Sequence, residues 1–536
     1  MRACPAYNYV PQRELLLKKT DMNEKKNLKS LSRRDLLRCG LYGGLAAGLS
    51  PCLWLSGCGR RQKAKMPNII VLTVDTLRAD HMALYGYARD TMPVIEKFAE
   101  TGVVFDNAVV SRGLTRPSYA SMLTGLYPFH HGVYNHDTVL HEGFARLPEI
   151  LRSVGYHTAA FVSNFSLVKE LSGCHHGFDI YDDFVEEREV DRNNYERTAP
   201  NTVKAILEWL ETGPAQPFFL FTNFIDPHAP YLPPPRFQHL YQSKKEWILN
   251  PKQIPRYARL PETLNYFDYV DGYDGEIRYT DEALEILIKE LERKGLWDDA
   301  IVIFTADHGE HFGEHNILFR HHLHVWEAAV HVPLVVRLPH SRINKETTLP
   351  RRVSSVASPM DMMPTILDYL DIESDGKMDG QSLLPVLTGA KESDRGIFLE
   401  FPDHGFPPKS PLVPPSYRGY DVYAVRSSTH KLIRIRQLST DKQIQKVLEI
   451  GTDPMEERPL HYDKLQKLHH KLAEQMDSML EQVRKYQFPF TLTYYKMLHP
   501  SERPDFIKQR GSGPKKIIKQ LSPEQVEALR SLGYVD

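Results

Sequence analysis

Residues 68–74 read Asn68-Ile69-Ile70-Val71-Leu72-Thr73-Val74, an unbroken apolar and β-branched run that stops at Asp75. A strand with one wet face alternates apolar and polar side chains, whereas a run without alternation is buried on both faces, as in a parallel sheet covered by helices. The same grammar returns at Thr158–Val162, Phe218–Thr222 and Ala300–Thr305. Helical patterns lie between, at Leu147 to Val154, Thr202 to Thr212 and Asp281 to Lys294. This alternation predicts an α/β fold, a mostly parallel sheet with helices on both faces. Ligands of such sheets gather outside the carboxyl ends of the strands, which makes Asp75 well placed for chemistry.

At 536 residues, 41% of them hydrophobic and 25% charged, the chain holds ample material for a large core, and one large domain plus a smaller one is the natural division. A formal net charge of -1 gives no electrostatic case for a nucleic-acid partner. The first sixty residues read as a targeting segment. Ser32-Arg33-Arg34-Asp35-Leu36-Leu37 looks like a twin-arginine export signal, and a small, apolar stretch follows from Cys39 to Leu55. Leu55-Ser56-Gly57-Cys58 then looks like a lipobox, which implies a signal segment over 1–58 and a lipid anchor at Cys58. The expected location is the cell envelope, as an exported lipoprotein; the apolar run is short and broken by glycines, against a permanent spanning helix. Met22 lies closer to the twin arginines and is an alternative start. Of five cysteines only Cys174 falls in the mature body, so no internal disulfide framework exists, and Cys174 reads as a small buried hydrophobe.

Pro233 to Leu260 is rich in Pro, Tyr, Gln and Lys with weak periodicity and reads as a long surface insertion near the mouth of the site. After about Gly389 the pattern changes. Val422–Arg426 and His430–Arg434 look like paired antiparallel strands, Leu460 to Tyr486 like an amphipathic helix, and Leu521–Val526 like a helix start. The division is therefore a catalytic domain over 66–390 and a smaller α+β subdomain over 391–536.

Four separated segments carry the chemistry: Val74-Asp75-Thr76-Leu77-Arg78-Ala79-Asp80-His81; Thr115-Arg116-Pro117-Ser118-Tyr119-Ala120-Ser121-Met122-Leu123-Thr124-Gly125; Asp226-Pro227-His228-Ala229-Pro230-Tyr231; and Thr305-Ala306-Asp307-His308-Gly309-Glu310. In order, spacing and context they resemble the sulfatase branch of the alkaline phosphatase superfamily, from Pro67 onward. Asp361–Leu367 and Asp379–Leu384 resemble the closing elements of its large domain. The resemblance implies an alkaline-phosphatase-like large sheet, a small C-terminal subdomain and hydrolysis of sulfuric esters. It places Thr115 at the nucleophile, where sulfatases carry a Cys or Ser that becomes formylglycine, and Tyr119 where they carry Arg. Formylglycine cannot be made from Thr, so the attacking group is an ordinary hydroxyl.

The same resemblance makes Asp75, Asp307 and His308 metal ligands, with Thr115 completing the shell. Thr76 and His308 stand where sulfatases have a second Asp and often an Asn, which widens the choice of divalent ion from calcium to manganese or zinc, and a second metal remains open. Such an ion neutralises ester oxygens and lowers the pKa of a bound hydroxyl. Pro117 suits the first turn of a helix whose N-terminus would face the anion. His228 corresponds to a histidine that contacts the anion. His322 falls five residues before Glu327, where a substrate-binding Lys is usual, and His321 matches a common variant of that loop. Ser163, Asn164 and Phe165 replace a Lys and a His that grip sulfate, and Arg78 is the candidate replacement charge.

Other readings compete. Asp75 can cap a helix, and Thr115 can be an N-cap with Ser118 as the reacting hydroxyl or a substrate contact. His321, His322 and His324 can be surface polar residues, while His130, His131, His175 and His176 read as structural or exposed. The expected catalytic set is Thr115, His228 and His322, with Arg78, Ser118 and His321 binding an anionic sulfated or phosphorylated small molecule or glycan. Phosphodiester cleavage, phospho-group transfer to a glycan or lipid, and an inactive anion-binding relative are the alternatives.

Overall fold

The computed structural model describes residues 66–485 apart from 137, 186–195, 261, 323, 340–350, 375, 393–394, 403–418 and 461–469. The leader with Cys58 and the Leu521–Val526 segment lie outside the described residues, as does part of Leu460–Tyr486, of which 470–485 are helical. Among the described residues no helix is long and apolar enough to cross a membrane.

Eight strands form the large sheet: β1 (Ile69–Val74), β2 (Val103–Ala108), β3 (His157–Phe161), β4 (Ile180–Asp182), β5 (Phe218–Phe224), β6 (Ile301–Ala306), β7 (Leu334–Arg337) and β8 (Arg352–Ala357), in the order β4-β3-β5-β1-β6-β7-β2-β8. All four sequence-read runs are strands of its centre, and every residue of β1, β5 and β6 is buried, as unbroken apolar runs require. The five strands from β4 to β6 are mutually parallel, and β7 is antiparallel to both its neighbours. The register sets Val74 beside Phe224 and Ala306, so that Asp75 and Asp307 leave the sheet together at its carboxyl edge.

The helix expected from Asp281 begins fifteen residues earlier, spanning Tyr266–Arg293. Two glycines masked it. A Cβ on Gly272 would lie 2.5 Å from the Tyr231 carbonyl oxygen, and one on Gly275 would lie 2.9 Å from the Phe237 carbonyl oxygen. These glycines admit the root of the insertion onto the helix instead of breaking it. The helix read from Thr202 likewise starts at Ala199, whose N–H donates to Asp226 Oδ2 at 2.7 Å.

A second sheet, antiparallel in the order β12-β11-β10-β9, comprises β9 (Ile397–Phe401), β10 (Tyr420–Arg426), β11 (His430–Gln437) and β12 (Gln443–Glu449). Its register pairs Arg426 with Lys431, and both reach Glu327, which opens a short helix just after the histidine-rich loop. Lys431 Nζ lies 2.6 Å from Glu327 Oε1 and from Glu456 Oε1, and donates to the Val325 carbonyl at 2.8 Å. Against the upward push of burial, Arg426 and Lys431 hold Glu327 well below the usual carboxylate range. A buried ion network of this kind is costly to break on one side, because the partners are left charged and dry. Lys431→Met is therefore expected to lose about 3–5 kcal/mol, measured as a fall in the denaturant midpoint; an unchanged midpoint would show that the network is not what fastens the small sheet.

Candidate active site

Asp75, Asp307 and His308 are fully buried and offer one ligand atom each, all within 4.8 Å of one another. His308 Nε2 lies 3.3 Å from Asp307 Oδ2 and 3.9 Å from Asp75 Oδ1. Its other nitrogen, Nδ1, is 3.0 Å from the Gly309 carbonyl and so carries the proton, which leaves the Nε2 lone pair turned to the carboxylates. Burial also lowers the His308 pKa, favouring the neutral imidazole that metal ligation requires. The carboxyl groups are pushed the other way. Burial raises Asp307 to about 8, and burial together with the Asp307 charge raises Asp75 well above its ordinary value.

The remaining oxygens are fixed by neighbouring strand ends. Asn164, just beyond β3, donates from Nδ2 to Asp75 Oδ2 at 2.6 Å, and with the Asn223 amide of β5 it works against the upward push on the Asp75 pKa. Asn223 Nδ2 in turn donates to the Tyr119 hydroxyl at 2.8 Å, and that hydroxyl makes a short contact with Thr73 Oγ1. Tyr119 thus braces the sheet beneath Asp75. Asp307 Oδ1 accepts from the main-chain N–H groups of Thr76 (3.2 Å) and His308 (2.9 Å). Thr76 does this from φ 55°, a left-handed conformation rare for a β-branched residue and typical of strain kept at functional sites.

Thr115 opens the helix Thr115–Thr124, buried throughout, and Leu114 before it provides no capping side chain. Its Oγ1 lies 3.2 Å from His308 Nε2, so the hydroxyl expected as nucleophile stands at the three-ligand set. Gly309 permits the crowding: a Cβ there would lie 2.1 Å from the Ala328 carbonyl oxygen. Gly309 is thus a close-approach position.

Imidazoles form the opposite wall. His321 stacks on His308 with centroids 4.3 Å apart and an interplanar angle of 21°, and meets His228 and His322 edge-on, each at 5.4 Å. His228 holds Nδ1 2.9 Å from the Ala229 carbonyl. Tyr257 of the insertion stacks near His228 at 6.1 Å, so the insertion does reach the site. His136, which no sequence signal singled out, belongs here too: burial, Arg116 and the rings of His308, His322 and His228 drive its pKa well below normal. Burial and the same set of rings depress His321.

Two expectations need correction. The Arg78 guanidinium is no replacement anion-binding charge: it chelates Asp80 at 2.8 and 2.7 Å and meets Glu314 Oε1 at 2.7 Å and the Glu310 carbonyl at 2.9 Å. Paired with two carboxylates, its charge is already neutralised. Ser118 is likewise committed, donating its hydroxyl to the Asp307 carbonyl at 2.6 Å; it ties the Thr115 helix to the end of β6 and is not poised as an alternative nucleophile. His324 stands apart, stacked on Trp326 at 4.1 Å, and His131 pairs with Ser121 at 3.0 Å inside the helix packing.

The donor set fits a divalent cation. Asp75 Oδ1 and Asp307 Oδ2 are buried and accept no hydrogen bond, an arrangement that is costly for carboxylates and is relieved by a cation between them. Chelator-treated protein titrated with calcium, manganese or zinc is expected to gain stability from the fitting ion, about 2.7 kcal/mol at a hundredfold excess over Kd. Asp307→Asn should abolish the gain in melting temperature. No shift with any of the three ions would show that these groups do not hold a cation.

The comparisons with known proteins agree with this geometry. Residues 67–372 match the family model described as Sulfatase, and residues 313–485 match that of the N-sulphoglucosamine sulphohydrolase C-terminal region. The ulvan-active sulfatase of Formosa agariphila is 27% identical over 355 residues, covering 61% of this chain and 66% of that one; the chain thus spans just under two thirds of that relative. A solved structure in complex with its substrate D-glucosamine-2-N,6-O-disulfate superposes with a TM-score of 0.62 at 19% identity, over 78% of this chain and 99% of the other. The phosphonate monoester hydrolase of Agrobacterium radiobacter gives 0.61 at 19% identity, over 78% and 96%. These likenesses establish an alkaline-phosphatase-like fold, and because the family model spans more than half of its residues, the chain belongs to the sulfatase family.

Proposed function

We propose that this chain is a metal-dependent ester hydrolase that cleaves a sulfate or phosphate ester on an anionic glycan or small molecule, using the Thr115 hydroxyl as nucleophile. The observation that carries the reading is the 3.2 Å approach of Thr115 Oγ1 to His308 Nε2 beside two buried carboxylates. Asp75, Asp307 and His308 hold the ion, whose chemistry is to neutralise the ester oxygens and lower the nucleophile's pKa. Thr115 Oγ attacks the sulfur or phosphorus, its bond to that atom forms, and the bond to the leaving alcohol oxygen breaks. His228 or His322, on the facing wall, takes the Thr115 hydroxyl proton and delivers a proton to that leaving oxygen, while His321 and the helix N-terminus bind the anion. Water then cleaves the Thr115 ester and restores the hydroxyl. The twin-arginine and lipobox patterns in the sequence support a cell-envelope location for this activity, with a lipid anchor at Cys58.

The nature of the nucleophile favours one second reading. A geminal diol can expel its group by closing to an aldehyde, but a threonine ester is released only when another oxygen attacks it. Phosphate esters therefore suit the site as well as sulfate, and an acceptor alcohol in place of water would make the enzyme a phospho-group transferase.

Metal-loaded protein offered aryl sulfate, phosphate monoester and phosphodiester is expected to turn over at least one. Thr115→Ala should lower kcat for the best of them by about 10^4-fold or more, while its thermal response to metal persists. Turnover that survives Thr115→Ala would remove the nucleophile assignment. No turnover by folded, metal-responsive wild type would favour an anion-binding relative.

A further inference from the structure

Beyond the metal site the fold encloses a second concavity, of about 380 Å3, between the insertion and the amino-terminal part of the Tyr266–Arg293 helix. That volume falls within the roughly 300–1,000 Å3 typical of small-molecule sites. None of its lining residues belongs to the metal set or the imidazole wall. The rings of Tyr87, Tyr266, Phe267 and Phe312 supply its apolar surface. Trp247, 52% exposed, lies 4.8 Å from the Tyr266 ring and carries the aromatic surface out to solvent.

The opposite side carries basic residues fixed in place, and the one carboxylate among the lining residues, Glu314, is already paired with Arg78. Arg89 is an anchor: it meets Asp274 Oδ2 and Asp271 Oδ1 at 2.6 Å each and donates to Ser243 Oγ at 2.9 Å. Ser243 N–H also donates to Asp271 at 2.7 Å, and four residues on Trp247 N–H donates to Asn265 Oδ1 at 2.9 Å. Lys244 and Lys245, between these two pinned points, are held at the rim, exposed, and in no ion pair among the described residues. Lys245 Nζ stands 5.8 Å from the centre of the Phe267 ring. The stretch from Pro233 to Leu264 carries six Lys and Arg against two Glu, in a chain of net charge -1 overall. An ordered basic rim over an aromatic floor selects for a ring with an apolar face and anionic substituents. A lipid surface would need the aromatic groups on a convex face, whereas most of them line a hollow.

We propose that this cavity is a second, non-catalytic site for a sulfated glycan chain, a sugar ring packing into the angle between Tyr266 and Phe267, whose planes stand at 84°, and its anionic group meeting Lys244 and Lys245. The site deepens the reading of the substrate as an anionic glycan and rests on it. It would hold part of the polymer away from the ester being cleaved, raising the local concentration of further esters on the same chain.

The test is equilibrium binding, at low salt, of a sulfated glucosamine–uronate tetrasaccharide to the full chain, to Lys244→Ala/Lys245→Ala and to Phe267→Ala, with vesicles of phosphatidylglycerol as a parallel probe. Both variants are expected to bind the tetrasaccharide about tenfold more weakly, with a shallower salt dependence for the lysine pair, while kcat/KM on a small aryl ester stays at the wild-type value. Equal affinity in wild type and variants overturns the proposal, as does wild-type binding to vesicles but not to tetrasaccharide. Tetrasaccharide binding that depends on these residues, in a protein that turns over no ester, would strike the hydrolase reading and leave this site standing.

Discussion

Two carboxylates that would each prefer water are held at the dry ends of adjacent strands. The pairing of Val74 with Ala306 leaves Asp75 and Asp307 no choice of position, and burial raises both pKa values. Everything near them is arranged around that strain. Asn164 holds one oxygen of Asp75 and the turned backbone at Thr76 holds one of Asp307, and the two oxygens left over face the His308 lone pair and Thr115. A sheet edge of this kind has the donor set of a cation site, with the Thr115 hydroxyl beside it.

The imidazole wall depends on a different interaction, one outside the large sheet. His321 and His322 sit on the loop that runs into Glu327, and Glu327 is clamped by Arg426 and Lys431 of the small sheet. Its N–H is also capped by Glu456 Oε2 at 2.6 Å. The small sheet is therefore a support for the loop facing the nucleophile. The metal set and the His321–His322 loop meet at the stacked rings of His308 and His321, and beside them Gly309 N–H donates to the Ala329 carbonyl at 2.9 Å.

How much of this could be read in advance follows from where the information lies. Central strands announce themselves because burial on both faces removes polar residues from the local sequence, and the three metal-site residues follow strand ends. Asn223 did not stand out, and Asn164 signalled only the loss of a cation, though both lie at or just past strand carboxyl ends, where position alone could have marked them as supports of Asp75. His136 had no local signal; its place is set by the fold that brings its loop against Arg116. Arg78 misled because a basic residue in a catalytic motif looks available until Glu314, 236 positions on, is seen to neutralise it. The early start of the Tyr266 helix was hidden by glycines whose purpose is contact with another segment, information absent from the helix itself.

The departures from the sulfatase pattern form one coherent change. Tyr119 stands where family members carry Arg, and its hydroxyl faces Asn223 and Thr73 within the core, with no charge to offer an anion. The residues after β3 turn inward to Asp75 where a Lys and a His would face the substrate. Cationic side chains that bind an anion directly have thus been exchanged for neutral ones that hold a metal ligand. Under the proposed function, charge neutralisation falls on the ion, and His321, whose burial favours its uncharged form, contributes a neutral imidazole to the anion's surroundings. A site that grips the ground-state anion less tightly can still stabilise charge that develops in the transition state, because neutral donors and a fixed ion discriminate between the two better than permanent cations do.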